Sequence, residues 1–399
     1  MLINYSYFYF PKQNSMPLRK INLGMVGGGP GSFIGKIHFH AAMLDGQIQL
    51  VCGAFSSDPA KSKETGTGYY LPDERIYATY QEMIAGEALL PDEERMDILC
   101  IATPNHLHYE PAKLALENGF HVICDKPLAF SLEEAEELAM LADKTGLIFA
   151  VTHAYAAYPM VKEARHLVAS GALGTVRKVV AEYPQGWLSD PIEKDNHIQA
   201  SWRTDPKRTG KSGCMGDIGT HALHLAEYIS GLKVNQLCAD LSTMVEGRAV
   251  DDDGNVLLRF NNGARGVLYA SQVSAGEENG LRIRVYGEKG GIDWIQADPG
   301  KLVVRWLDRP MEVRTSGNTY LSKEAQYSSR MPAGHPEGLI EAFANIYRNV
   351  ATCIQHRLEN EVPPEEVIDF PDVKDGLRGM QFIQKVVESS VSEHKWIRF

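Results

Sequence analysis

No apolar run in this sequence is long enough to span a bilayer, which argues against a helical membrane protein. No block of basic residues stands out either. With 40 Lys and Arg against 51 Asp and Glu, the net charge is −11, which disfavours a nucleic-acid partner. Cysteine is scarce: Cys52, Cys100, Cys124, Cys214, Cys238 and Cys353 are scattered, with no CxxC pair. A disulfide framework is therefore not expected, three of these thiols lie in or beside apolar runs, and a reducing cytosol fits. Internal repeats and low-complexity tracts are absent. The opening MLINYSYFYFPKQNSMPLRK lacks the basic start and sustained apolar core of a signal peptide. Residues 1–18 read as a disordered or loosely docked extension, with Met16 as a second candidate start.

What is present is ordinary globular composition, 44% hydrophobic and 23% charged over 399 residues, enough for two domains. The stretch Met96–Leu128 organises the rest. Its apolar run Ile98–Ala102 leads into a turn at Thr103-Pro104-Asn105. A helical pattern then stops at Asn118-Gly119, and a second apolar run, Val122–Cys124, delivers Asp125-Lys126-Pro127. Apolar runs flanking a helix predict a βαβ unit in a buried parallel sheet. Ligands of such sheets bind outside the carboxyl ends of the strands, so Lys126 and Thr103–Asn105 face a cleft.

Upstream, a strand over Ile21–Val26 runs into the glycine-rich stretch from Gly27 to Gly35, and a helix follows from about Ile34 to Leu44. Such a turn lets backbone N–H groups approach a pyrophosphate at the helix N-terminus. The usual GxGxxG is not intact: Gly27 and Gly29 are followed by a stretched loop. Gly27, Gly29, Gly31, Phe33 and Ile34 are the candidate phosphate and nicotinamide contacts. The second strand, Gln49–Phe55, ends in Phe55-Ser56-Ser57-Asp58, without a carboxylate at Phe55 or Ser56. Ser56 and Ser57 are candidate ribose or 2′-phosphate contacts, but no arginine follows and Asp58 stands close. The balance favours NAD, with NADP tolerated.

Downstream, the capping-box pattern Ser131-Leu132-Glu133-Glu134 starts a helix that Gly146 closes, and Leu147–Val151 is a further strand. A boundary near His153 divides a Rossmann-type parallel-sheet domain, 19–152, from a second domain, 153–399. The second half carries a helix over Met160–Ser170. Alternating strands follow at Val176–Tyr183, Val256–Phe260, Ala264–Val273, Leu281–Tyr286, Gly291–Ile295 and Leu302–Leu307. Helices at about Pro336–Arg357 and Val373–Ser389 end the chain. The fold class is α/β, with a C-terminal α+β domain on an open, mainly antiparallel sheet.

A second chemical segment lies between these strands. Trp202-Arg203 precedes Gly213-Cys214-Met215-Gly216-Asp217-Ile218-Gly219-Thr220-His221. Asp217 and His221 are four apart, so in a helix they share a face, where a carboxylate can fix or charge an imidazole. Helix capping beside a surface imidazole is the plainer reading of such a pair. No third residue has metal-ligand spacing, so no metal is expected. His106, His108 and His153 read first as loop or core histidines. Tyr155, Trp202, Arg203 and His335 are candidate sugar contacts, since sugars stack on aromatic faces and hydrogen-bond to polar tips.

Taken together, these parts resemble the glucose–fructose oxidoreductase / inositol dehydrogenase (Gfo/Idh/MocA) family from about Ile21 onwards. The family's usual Glu-Lys-Pro is Asp125-Lys126-Pro127 here, its Asp-x-x-x-His is Asp217 and His221, and the turn Thr103–His108 also matches. The resemblance implies an NAD(P)-dependent dehydrogenase of the cytoplasm acting on a CH–OH group. Lys126, Asp217 and His221 would be catalytic: His221 the general base, Lys126 the donor to the reacting oxygen, Asp217 the group that orients substrate or His221. Thr103, Pro104, Asn105, His108, Asp125 and Lys126 would line the nicotinamide side. The segments around Trp202-Arg203 and Gly334–Gly338 resemble a branch acting on inositols, anhydrosugars and related pyranoses. Family sheets of this kind pair between subunits, which implies a homodimer or homotetramer. The alternative is a catalytically silent, nucleotide-sensing regulator on the same fold.

Overall fold

The apolar runs of the first half form a five-stranded parallel sheet of order β2-β1-β3-β4-β5. Its strands are β1 (Ile21–Gly27), β2 (Ile48–Ala54), β3 (Ile98–Ala102), β4 (His121–Cys124) and β5 (Phe149–Val151). The computed structural model describes residues 19–195 and 197–399; the extension expected at residues 1–18 lies outside them. Every residue of β3 is buried, as a strand covered on both faces requires. One face packs Ala41 and Ala42 with Phe343, Tyr347, Val350 and Ile354; the other packs Met83, Ala112, Leu116, Ala135 and Leu138. Local chemistry sets the helix ends. Ser131 and Glu134 form the expected capping box of the helix Leu132–Thr145, and Gly146 closes it at φ +66°.

The second sheet has nine strands in the order β13-β12-β11-β10-β6-β9-β8-β7-β14. They are β6 (Lys178–Pro184), β7 (Val234–Ser242), β8 (Asp253–Phe260), β9 (Arg265–Ser271), β10 (Arg282–Tyr286), β11 (Gly290–Ile295), β12 (Lys301–Trp306), β13 (Glu312–Thr315) and β14 (Trp396–Arg398). Only β6 and β9 pair in parallel. Burial alternates along β8 and β12, so one face is inward. The helices Pro159–Ala169, Thr220–Ser230 and Val373–Val391 cover that face with Val161, Leu223, Ala226, Phe382 and Val386.

Three differences from the sequence reading have plain causes. β7 went unread because its inward set is only Val234, Leu237 and Ala239, set among Asn235, Gln236 and Asp240. β13 and β14 are too short, at four and three residues, to show a pattern. The helix expected from Pro336 starts at Leu339, because the Glu341 side chain accepts from Gly338 N at 2.8 Å and fixes the first turn there. That helix, Leu339–Leu358, packs mostly on the first sheet's layer, while its Ala342 reaches the second sheet's core. A cut near His153 therefore separates the sheets but not their cores.

Candidate active site

The carboxyl ends of all five parallel strands open into one cleft of about 970 Å³, which the end of β6 also lines. At one end lie Gly27, Gly29, Gly31, Phe33 and Ile34, with Ser56, Ser57 and Lys61 across from them. Gly27 has φ +84°, and a Cβ there would stand 2.6 Å from Ala102 O. A Cβ on Gly29 would stand 2.7 Å from Phe55 O. The helix Phe33–Leu44 begins at this loop, capped by Ser32, whose hydroxyl accepts from Gly35 N at 3.1 Å. Close backbone approach at a helix N-terminus fits a pyrophosphate. Asp58 is turned away from the cleft. Its carboxylate caps the helix Pro59–Gly68 by accepting from Ala60 N at 3.0 Å, so it does not guard the ribose site as its sequence position suggested.

At the other end Lys126 meets Asp217. Lys126 Nζ donates to Asp217 Oδ1 and to Asp217 O, each at 2.7 Å. An ammonium has three protons, so one is left for the cleft. Asp217 Oδ2 accepts from Arg203 Nε at 3.1 Å and from Gln272 Nε2 at 2.8 Å. Asp217 does not bond His221. It sits on a π-turn, Met215–Gly219, and its carboxylate is taken up by Lys126, Arg203 and Gln272 instead. The Asp251 carboxylate holds the turn's entrance by accepting from Gly213 N and Met215 N at 2.9 Å each. His221 makes no hydrogen bond among the described residues. Its Nδ1 is buried, which leaves Nε2 for the cleft.

Beyond this cluster the wall is neutral and polar. The Tyr155 and Tyr183 hydroxyls meet at 2.5 Å, and Asn279 Oδ1 accepts from Tyr183 at 2.7 Å and from Gln185 Nε2 at 2.8 Å. The Arg203 guanidinium lies over the Trp202 ring, 4.1 Å from its centroid. Among the described residues no group of three His, Cys, Asp or Glu is placed to hold a metal ion, and no helix is long and apolar enough to cross a membrane.

The cleft brings together Lys126, Asp217 and His221 with Asp125, Thr103, Pro104, Asn105, Tyr155, Trp202 and Arg203. Two expected contacts stand elsewhere. His108 is fully buried beneath the cleft, its ring nitrogens 2.8 Å from Pro127 O and Thr103 O, where it ties the 103–105 turn to Lys126-Pro127. His335 is exposed, with Nδ1 3.3 Å from Pro332 O, because a loop ahead of the helix Leu339–Leu358 carries it outside the cleft. Gln272, Tyr183, Gln185 and Asn279 were not read from the sequence. Gln272 follows a strand end, a signal of position alone; Asn279 sits in a turn with no signal at all.

Comparison with known proteins gives the same picture. Residues 21–153 match the profile of an oxidoreductase family with an NAD-binding Rossmann fold, and residues 161–293 that of the GFO/IDH/MocA C-terminal domain. The chain belongs to the Gfo/Idh/MocA family. An uncharacterised oxidoreductase of Bacillus subtilis, YfiI, is 36% identical over 392 residues, covering 96% of this chain and 98% of its own. An inositol dehydrogenase homologue from Azotobacter vinelandii, solved with NAD+, has a TM-score of 0.90 at 34% identity, over 96% of this chain and 98% of its own. A levoglucosan dehydrogenase of Pseudarthrobacter phenanthrenivorans is 28% identical over 69% of this chain and 73% of its own. As a member of this family the protein is an NAD(P)-dependent oxidoreductase, and the glycine-loop end of its cleft fits the dinucleotide.

The charges of the family's Lys, Asp and His positions follow from their surroundings. Burial opposes ionisation of Asp217, but the Arg203 and Lys126 charges overcome it and hold the carboxyl well below the usual carboxylate range. Burial, then the charge on Lys126, holds the His221 imidazole well below its ordinary value, so the ring is neutral at pH 7. A base must be unprotonated to act, so a depressed value moves the loss of activity to more acid pH. The oxidative kcat/KM is expected to stay flat as pH falls from about 8 through the ordinary imidazole value near 6.5. A pH–rate profile with an acid limb centred near 6.5 rules out a neutral His221 as base.

Proposed function

We propose that the protein moves a hydride between a nicotinamide and a ring hydroxyl or ketone of a cyclic polyol or sugar of the inositol, pyranose or anhydrosugar type. The observation that carries this is the Lys126–Asp217–His221 cluster at the strand ends, with one ammonium proton and one imidazole nitrogen left for a hydroxyl. A bound nicotinamide supplies the hydride acceptor or donor. His221 Nε2 accepts the hydroxyl proton. Lys126 holds the same oxygen and stabilises the charge that develops on it. Asp217 keeps Lys126 aimed, and Arg203 and Gln272 keep Asp217 aimed. At this end of the cleft the cations Lys126 and Arg203 are both paired to Asp217, and the rest of the wall is hydroxyl, amide and indole. That lining suits a neutral polyol better than a sugar phosphate. Solved relatives carry myo-inositol and levoglucosan, both of this class.

A panel of inositols, pyranoses, anhydrosugars and sugar phosphates tests the reading. Turnover is expected with neutral members only. Lys126→Ala should lower kcat by about 10²–10³-fold, the usual loss for a donor to a developing oxyanion, while nucleotide affinity stays within a few-fold. Near-normal turnover in that variant sinks the role of Lys126; silence across the panel with either nucleotide sinks the activity.

For the nucleotide we expect NAD with NADP tolerated. No arginine fork faces Ser56 and Ser57, yet no carboxylate there repels a 2′-phosphate. The ratio of kcat/KM for the two nucleotides should not favour NADP. A preference for NADP above about tenfold, near 1.4 kcal/mol, would make the serine pair and Lys61 a phosphate site.

The outer face of the nine-stranded sheet supports assembly. Leu257, Ile295 and Val313 are 49%, 39% and 49% exposed on its strands. Such a face favours pairing between copies, and a homodimer or homotetramer is expected. Light scattering at micromolar concentration checks this, and a monomer there counts against it.

A further inference from the structure

Behind His221 lies a second cavity, of about 350 Å³, that shares no lining residue with the cleft. His221 lines the cleft; His153 and His224 line the second cavity. The His153 ring stands edge-on to His221, centroids 5.4 Å apart, and stacks on His224 at 4.5 Å. His153 is 2% exposed and His221 8%. The Nδ1 atoms of both rings are buried without a hydrogen-bond partner. Buried polar atoms are rarely left so, and here two neighbouring rings are. The other nitrogen of His153, Nε2, looks towards the cavity wall at Gly379, where an added Cβ would stand 3.9 Å away. His224 Nε2 continues the row, 3.9 Å from Asp375 Oδ2, within ion-pair reach when the ring is charged.

The proton needs such a route. With nucleotide and polyol in the cleft, water has little access to His221 from that side. Asp217 cannot take the proton on: both its oxygens accept hydrogen bonds from Lys126, Arg203 and Gln272, and it stays ionised. We propose that His153, with His224 and Asp375 behind it, is a proton wire that joins His221 to the second cavity and so to solvent. This rests on His221 being the base. In oxidation, the O–H bond of the substrate hydroxyl breaks and its proton goes to His221 Nε2. The resulting imidazolium releases its Nδ1 proton to the Nδ1 lone pair of His153 after a rotation of the rings brings the two atoms, unbonded at rest, within hydrogen-bond reach. His153 then releases its Nε2 proton to water in the second cavity. One proton travels from hydroxyl to solvent, no electron moves along the wire, and ring flips restore the tautomers.

The surroundings suit a passing positive charge. The second cavity presents Glu227, Asp369, Asp372 and Asp375 against Arg165, Lys233 and Arg378, with Tyr228 beside His224. On the cleft side His221 faces Lys126, Asp217, Tyr155 and Tyr183. The Lys126 charge on the cleft side and the Asp375 charge on the cavity side both favour a proton moving from His221 outwards.

The test uses the full-length enzyme with a polyol that it turns over. His153→Phe keeps a ring on His224 and removes both nitrogens. It should lower kcat at pH 7 by about tenfold or more, short of the roughly 10²–10⁴-fold carried by a direct acid–base group, and raise the solvent deuterium isotope effect. Nucleotide affinity should stay unchanged. In His153→Ala, added imidazole should restore the rate in a saturable way. Gly379→Leu, whose side chain would enter the cavity wall beside Nε2 and Thr220, should reproduce the loss. A rate within twofold of the parent for His153→Phe and Gly379→Leu overturns the wire, as does a loss that imidazole does not restore. His221→Asn run beside them separates the two ideas. If it turns over normally, the base assignment fails; if it alone is inactive, only the wire fails.

Discussion

One ion pair, Lys126 Nζ to Asp217 Oδ1 at 2.7 Å, joins the parallel sheet to the antiparallel one across the cleft. Lys126 follows β4 and Asp217 sits on a π-turn of the other lobe. Each side chain is about one-seventh exposed, 14% and 13%, so neither charge is fully solvated. Removing Asp217 leaves both Lys126 and Arg203 without their carboxylate, whereas removing Lys126 leaves Asp217 still paired with Arg203. The glycines around Asp217 serve this contact. A Cβ on Gly213 would stand 2.5 Å from Asp251 O, and one on Gly219 would stand 2.6 Å from Met215 Sδ. The turn can be this tight only where side chains are missing.

The same pair sets the electrostatics of the cleft. Two cations and one carboxylate leave a net positive charge beside His221, which disfavours the imidazolium and suits the negative oxygen of the proposed reaction. The neutral ring and the ready ammonium are therefore one arrangement seen from two sides. Gln272 and Arg203 add no new chemistry; they hold Asp217 where it can keep Lys126 in place.

Much of this was legible in the chain. The runs Ile98–Ala102 and Val122–Cys124 are wholly or nearly wholly buried because a parallel sheet covers both faces, and such runs announce themselves. Lys126 could be located because a strand end in that sheet is also a cleft wall. The wall of Tyr183, Gln185 and Asn279 could not be, since it assembles from segments almost a hundred residues apart through hydrogen bonds that no local pattern encodes. Asp217 and His221 misled by spacing alone. They do face the same cleft, but the carboxylate is engaged by Lys126, Arg203 and Gln272, partners from distant segments that the spacing does not announce. Asp58 misled in the opposite way: its place after β2 suggests the ribose, but an aspartate ahead of Pro59 and Ala60 is first a helix cap.

The helix Leu339–Leu358 has a bearing on how the chain is built. Phe343, Tyr347, Val350 and Ile354 come from the last fifth of the sequence, yet they close one face of the sheet made by residues 21–151. Tyr347 donates to Cys100 Sγ at 3.1 Å, a link across 247 positions. A ribosome that has released residues 21–151 has delivered all five strands of the nucleotide layer but not the wall behind them. During synthesis those strands keep an apolar face open until this helix arrives. The nucleotide layer is synthesised well before the helix that completes it.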